Sequence, residues 1–193
     1  MPPAPKQERS RRAREALLGA ALQLFAERGF EATSIEDIAS SAGVAVGGFY
    51  LHFRSKRQAL LVLMDRLLAE LGALAIVLPE NVPAQTIVAA IVRIGLRIDR
   101  AYAGAYRPWR EVMLHDAMLA KANREIEAWT MDRLRAVASL LLRLPKARDD
   151  VDLETFCWVT NQLFWRLTEA ASGDLETVEG TVTAFFYHAL FED

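Results

Sequence analysis

Apolar positions recur three and four residues apart along almost the whole chain, the spacing of amphipathic helices rather than strands. Leu18, Ala21, Leu22 and Phe25 form one such stripe and predict a first helix near 10–28, ended by Gly29. Ile35, Ile38, Ala39 and Ala42 form a shorter one, and Val46 to Phe53 add about two further turns. A long helix is expected over 55–77, stopping before Pro79-Glu80-Asn81-Val82-Pro83. Others are expected over 84–104, from Pro108 to His115, over 118–143, over 152–171 and over 175–191. Pro108 should break or kink the chain, and Ser172-Gly173-Asp174 should form a turn. The pattern predicts an all-α fold of about nine helices, with a three-helix head and a larger helical body. No apolar run is long enough to span a bilayer, because Asp65, Arg66 and Glu70 interrupt the longest one. Arg9 to Arg14 followed by a run of small and apolar residues imitates a signal peptide, but Glu15, Gln23 and Glu27 interrupt it and no small-residue cleavage site follows.

Composition refines this picture. Of the 193 residues, 52% are hydrophobic, enough for a sizeable core, and the net charge is only −2. That balance argues against a protein that coats nucleic acid generally. The charge is unevenly placed: residues 1–60 carry net +3 and the remainder net −5. A basic head on an acidic body suits a chain that touches DNA with one end. The single cysteine, Cys157, excludes an intramolecular disulfide and points to the cytoplasm. Set between Phe156 and Trp158, it reads as a buried small hydrophobe, with redox sensing as the alternative. His52, His115 and His188 show no metal-ligand spacing. Without a nucleophile elbow, a phosphate loop or paired carboxylates in an apolar setting, neither enzymatic activity nor a cofactor is expected.

The densest information lies in residues 33–61. Thr33 or Ser34 can cap a short helix whose first turn holds Glu36 and Asp37, acids that suit the positive end of a helix. Gly43 can take the left-handed conformation of a tight turn. A two-turn helix follows, and Ser55 can cap the next one, with Lys56 and Arg57 beside it. This stretch resembles the DNA-binding segment of the TetR family of transcriptional regulators. The matching residues are Thr33, Ile35, Asp37-Ile38-Ala39, Ala42-Gly43-Val44, Gly47, Tyr50, His52-Phe53, Ser55-Lys56 and Leu60-Leu61. The resemblance implies that Thr33, Tyr50, His52 and Lys56 lie against the phosphate backbone; alternatively Tyr50 and His52 pack against the first helix. Base contacts would fall to Val46, Gly47, Gly48 and Leu51, none of which hydrogen-bonds a base edge. Ala45 and Gly48 depart from the residues usual in the family. Arg9, Arg11 and Arg12 either enter an adjacent minor groove or form a solvated basic tail. The chain then divides into a disordered basic and proline-rich arm at 1–8, a DNA-binding domain at 9–58 and a ligand-binding and dimerisation domain at 59–193.

In that body, the resemblance implies a ligand cavity, with Tyr106, Trp109, Met113, Trp129, Asn161, Gln162 and Trp165 as its candidates. Plain core packing is the alternative for each aromatic. Phe156 and Leu163 on one helix, with Val178, Val182 and Phe186 on another, make apolar faces wide enough to need covering. A two-fold homodimer would cover them; so would the chain's own body. Together these readings predict a dimeric repressor, released from a pseudo-palindromic duplex operator by a small apolar or aromatic inducer. Two alternatives are a DNA-binding dimer without a ligand and a sequestering protein that has lost DNA binding.

Overall fold

The computed structural model describes residues 6–73, 81–114, 117–167 and 174–192. Pro79, Glu80, His115, Ser172 and Gly173 lie outside these. The described residues form nine helices: α1 (Lys6–Arg28), α2 (Ile35–Ser41), α3 (Val46–Tyr50), α4 (Lys56–Ala73), α5 (Ala84–Ala101), α6 (Ala103–Met113), α7 (Ala117–Leu141), α8 (Leu153–Leu167) and α9 (Leu175–Leu190). The only strand-like pairing among them is an isolated bridge between Ala147 and Phe191.

Several boundaries differ from those the sequence predicts: α3 ends at Tyr50 rather than Phe53, and two others bear on the head. The expected arm is helical from Lys6 onward, because extending an existing helix avoids the cost of nucleation. The break expected at Pro108 falls instead at Tyr102, and Pro108 sits inside α6. An interior proline costs about 3 kcal/mol. Burial of Ala105, Tyr106, Trp109 and Val112 along α6 offsets it, at about 1.5–3 kcal/mol for each large apolar side chain.

The chain folds into two compact units. The first comprises residues up to Leu68 together with Tyr102–Asp116, so α6 belongs with the head. Its core joins Leu17, Leu18, Ala21, Leu24 and Phe25 of α1 to Phe30, Ile38, Ala39, Phe49 and Phe53, with Leu60 and Met64 of α4. Gly29 (φ 83°) ends α1 and Gly43 (φ 66°) makes the turn between α2 and α3, both in the left-handed region. At the packing of α6 on α1, a Cβ on Gly104 would lie 2.2 Å from the carbonyl oxygen of Leu22 and 2.9 Å from Cβ of Ala26. No side chain fits there, which sets how closely the two helices approach.

The second unit holds Ala69–Ala101 and Ala117–Asp193. Helix α5 packs on α9 and α7 on α8. Its core gathers Ile87, Val88, Val92 and Leu96 of α5, Leu141 of α7, and Val182, Phe186 and Leu190 of α9. Phe156 and Phe164 of α8 close over Phe186, with ring centroids 5.7 and 6.1 Å away. Cys157 is fully buried, and that burial pushes its thiol pKa up, as befits a small core residue.

Candidate nucleic-acid interface

Helix α2 is capped by Ser34, not Thr33. The Ser34 Oγ accepts from the Asp37 amide at 3.0 Å, and the Ser34 amide donates to Asp37 Oδ2 at 3.1 Å, a reciprocal capping box. The Ser34 hydroxyl also donates to Asp37 Oδ2 at 2.7 Å. These bonds, reinforced by the Arg28 guanidinium, hold the Asp37 carboxyl below its ordinary pKa. Thr33 is buried, and its hydroxyl donates inward to the Gly29 carbonyl at 2.7 Å. The sequence-based assignment of Thr33 to the phosphate backbone is therefore corrected: its one proton secures the turn between α1 and α2.

Lys56, partly buried, is also held from within the head. Its ammonium donates to the carbonyls of Phe30 at 2.7 Å, Glu31 at 3.2 Å and Thr33 at 3.2 Å. It also lies 4.5 Å from the centroid of the Phe30 ring. An ammonium has three protons, and three carbonyls take them. Lys56 ties the start of α4 to the loop ahead of α2. Helix α4 is capped by Ser55, whose Oγ accepts from the Gln58 amide at 3.2 Å, while the Arg54 amide donates to Gln58 Oε1 at 2.6 Å.

Helix α3 is built to present a surface. Phe49 is fully buried and Phe53 nearly so, their centroids 5.5 Å apart, and they fix the helix to the head. Val46 and Tyr50 are 37% and 55% exposed, and Leu51, just past the helix end, is 84% exposed. Gly47 is exposed with open space around it, so Val46, Gly47, Tyr50 and Leu51 form one patch. His52 is half-buried, its ring centroid 6.3 Å from that of Phe53. Gly48 faces inward: a Cβ there would lie 2.5 Å from Cγ1 of Val44. A side chain at this position would have to displace that methyl group.

Two further cations, Arg14 and Arg54, lie near this patch. The Arg14 guanidinium stacks 5.4 Å from the Phe53 ring centroid, and Arg54 is exposed at the end of the patch. Arg54 stands three residues past Leu51 in the sequence, whereas Arg14 reaches the patch only through the fold. Arg9, Arg11 and Arg12 lie on α1 rather than on a loose arm, all three exposed.

The body candidates divide between the units. Tyr106 and Trp109 are buried and Met113 half-buried on α6 of the first. Trp129 (half-buried) on α7, and Asn161 (buried) and Gln162 (exposed) on α8, belong to the second. The side chain of Trp165 lies outside the described residues. A Cβ on Gly72 would sit 3.3 Å from the Trp129 ring, so that indole already packs on α4.

The apolar faces of α8 and α9 are also redistributed. Val182 and Phe186 are 5% exposed and belong to the unit's own core, with Phe156, Leu163 and Val178 packed against it. Val182 and Phe186 are thus covered within the unit, whereas Phe156, Leu163 and Val178 keep part of their surface open. Among the described side chains of α8 and α9, Trp158, 59% exposed, and Phe185, 50% exposed, are the large hydrophobics left open.

Residues 17–62 match the family profile described as "Bacterial regulatory proteins, tetR family". The HTH-type transcriptional regulator TcmR of Streptomyces glaucescens is 30% identical over 159 residues, covering 79% of this chain and 67% of that protein. The chain spans 17%, 27% and 47% of the length of three other curated regulators that it matches. A tetR-family regulatory protein from Rhodococcus RHA1 has the same fold, with TM-score 0.70 at 16% identity over 94% of this chain and 98% of that one. So has AibR, solved with isovaleryl coenzyme A and operator DNA, with TM-score 0.66 at 16% identity over 93% of this chain and 100% of that one. A profile match on the residues that build the capped α2, the glycine turn and α3, joined to a relative aligned over most of both chains, places this protein in the TetR family of bacterial transcriptional regulators.

Proposed function

We propose that the chain is a homodimeric, ligand-responsive repressor that sets α3 into the major groove of a pseudo-palindromic operator in the cytoplasm. The observation that carries this reading is the exposed patch of Val46, Gly47, Tyr50 and Leu51 on a helix locked from behind by Phe49 and Phe53. Tyr50 donates to a phosphate, with His52 and Arg54 beside it. Val46 and Leu51 meet thymine methyl groups, and Gly47 lets the backbone approach the bases. Two-fold operator symmetry follows from two-fold protein symmetry, and the dimer forms through Trp158 of α8 and Phe185 of α9. Trp109, Trp129 and Asn161 remain the residues whose replacement tests ligand response. AibR, which shares this fold, was solved with both isovaleryl coenzyme A and operator DNA, which supports a regulator that takes a small ligand as well as DNA. Such a ligand binds one of two states better and shifts the balance between them.

The decisive experiment is a gel shift on genomic fragments with wild type and a Tyr50→Phe/Leu51→Ala variant. Retention of a discrete fragment by the wild type and its loss in the variant support the reading. Absence of any retained fragment over a range of salt concentrations, with the protein folded, overturns it. A thermal-shift screen of small acyl, aromatic and apolar compounds tests the ligand half, since a ligand that binds the folded state raises the melting temperature.

A further inference from the structure

Helix α1 is longer than the head needs. No side chain from Lys6 to Ala16 is buried, and the first buried residue is Leu17. This stem carries Lys6, Arg9, Arg11, Arg12 and Arg14 against Glu8 and Glu15, a net charge of +3. Its root is fixed twice. Arg14 stacks on Phe53, and Glu15 receives both Arg66 guanidinium nitrogens of α4 at 2.5 Å. Beyond the root, the only hydrogen bonds and ion pairs among the described residues stay within the stem. Arg12 donates to Glu8 at 2.7 and 3.1 Å, and Arg11 lies 3.8 Å from the same carboxylate.

We infer that this stem is a second DNA-contacting element, which lies across the phosphates of duplex DNA beside the base pairs that α3 faces. The inference rests on the DNA-binding reading above and adds a surface to it. Continuity is the first reason. Phe53, on which the stem is rooted, lies only two residues past Leu51, so the stem begins at the edge of the α3 patch. Reach is the second. Eight residues separate Arg14 from Lys6, about 12 Å of helix, along which duplex DNA presents a charge every ~1.7 Å. Composition is the third. From Lys6 to Ala16 the stem has no large apolar side chain, so it offers nothing to an apolar protein groove or a bilayer interior. Electrostatics is the fourth. Lys6 and Arg9 occupy the first turn, where the helix dipole disfavours cations and nearby phosphates would relieve them.

Geometry also selects the kind of contact. A helix with side chains is about 10–12 Å across, whereas the minor groove is ~6 Å wide. The helical stem itself cannot enter it, so in this reading the partners of Arg9, Arg11 and Arg12 are the phosphates along the groove's rim. Glu8 then acts against binding, because it holds Arg11 and Arg12 that phosphates would otherwise take.

The test uses the full chain with Arg9, Arg11 and Arg12 all changed to Gln, and separately Glu8→Gln. Equilibrium binding is measured on two duplexes, one A/T-rich and one G/C-rich, over a range of salt concentrations. Each lost phosphate contact lowers the slope of log affinity against log salt by about 0.9. The triple variant should therefore lose about 2–3 from the slope equally on both duplexes, with an unchanged melting temperature. Glu8→Gln should bind both duplexes more tightly. An unchanged slope in the triple variant overturns the inference, and so does a loss confined to the A/T-rich duplex. If the wild type binds neither duplex, the DNA-binding reading itself falls and takes the stem with it.

Discussion

Lys56 joins a residue type that suits a phosphate to a structural tie inside the head. Its residue type states what it can donate, but not to which acceptor. The acceptors, three carbonyls between Phe30 and Thr33, lie more than twenty residues away in sequence and converge only in the fold. Lys56→Met should destabilise the head by on the order of 1–2 kcal/mol by orphaning carbonyls, with the salt slope of DNA binding unchanged. Denaturant melts and salt titrations of the same sample decide it: a lowered slope with an unchanged midpoint would restore the phosphate role. Lys56→Arg should not rescue it, because a planar fork cannot aim three donors at converging oxygens. Gly47 and Gly48, adjacent and alike in sequence, part company in space. Gly47→Ala meets nothing and should stabilise α3 by about 0.5–1 kcal/mol while weakening DNA binding, because the methyl blocks backbone approach. Gly48→Ala must displace the Val44 side chain and should lower the melting temperature. If both variants bind DNA as the wild type does, close approach of the α3 backbone plays no part in recognition.

At the scale of elements, the existence of each helix was legible because a periodic apolar face needs little context. The ends were less so. Ser34 rather than Thr33 caps α2, a choice settled by which hydroxyl the loop turns outward. Pro108 looked like a boundary because its local cost was visible, whereas the burial of Trp109 that outweighs it is a tertiary fact. The capping box gives α2 a pH signature. Ser34 hydrogen bonds lower the Asp37 pKa below its ordinary 3.8, so the stabilisation is fully present above that value. It is lost as pH falls through the lower, folded-state value. Wild type should therefore lose melting temperature more steeply than Asp37→Asn below about pH 4. Parallel profiles would show that the box contributes nothing measurable. Glu15, held below its ordinary pKa first by its hydrogen bond to Arg66, adds a loss of the same sign that both proteins share.

For the whole molecule, the apolar faces of the last two helices are partly covered from within, Val182 and Phe186 by the second unit's own core. Phe186 and Val182 are as apolar as an interface needs, but periodicity cannot say which partner a wide apolar face meets. They face α5, and the surface left most open is that of Trp158 and Phe185. Trp158→Glu and Phe185→Glu should thus give helical, soluble monomers with weakened operator binding. Phe186→Glu should unfold the second unit, because it buries an unpaired charge. Sedimentation and circular dichroism separate these outcomes. Dimers that persist in both exposed-site variants would move the interface off α8 and α9. The ligand candidates were the least legible, since aromatic side chains line cavities and fill cores with equal ease.

The assignment of Tyr102–Asp116 to the first unit has a consequence for protein engineering. A continuous segment ending near residue 58 looks like a cassette, ready to be spliced onto another regulator to transplant its operator choice. It is not one. Excised there, α1 would lose the helix that lies against Leu22 and Ala26 at Gly104 and would show that seam to water. A chimera that keeps a foreign α6 would have to admit its side chain where only hydrogen fits. Transplants that carry residues 102–114 along with the head should fold, and those that leave them behind should aggregate.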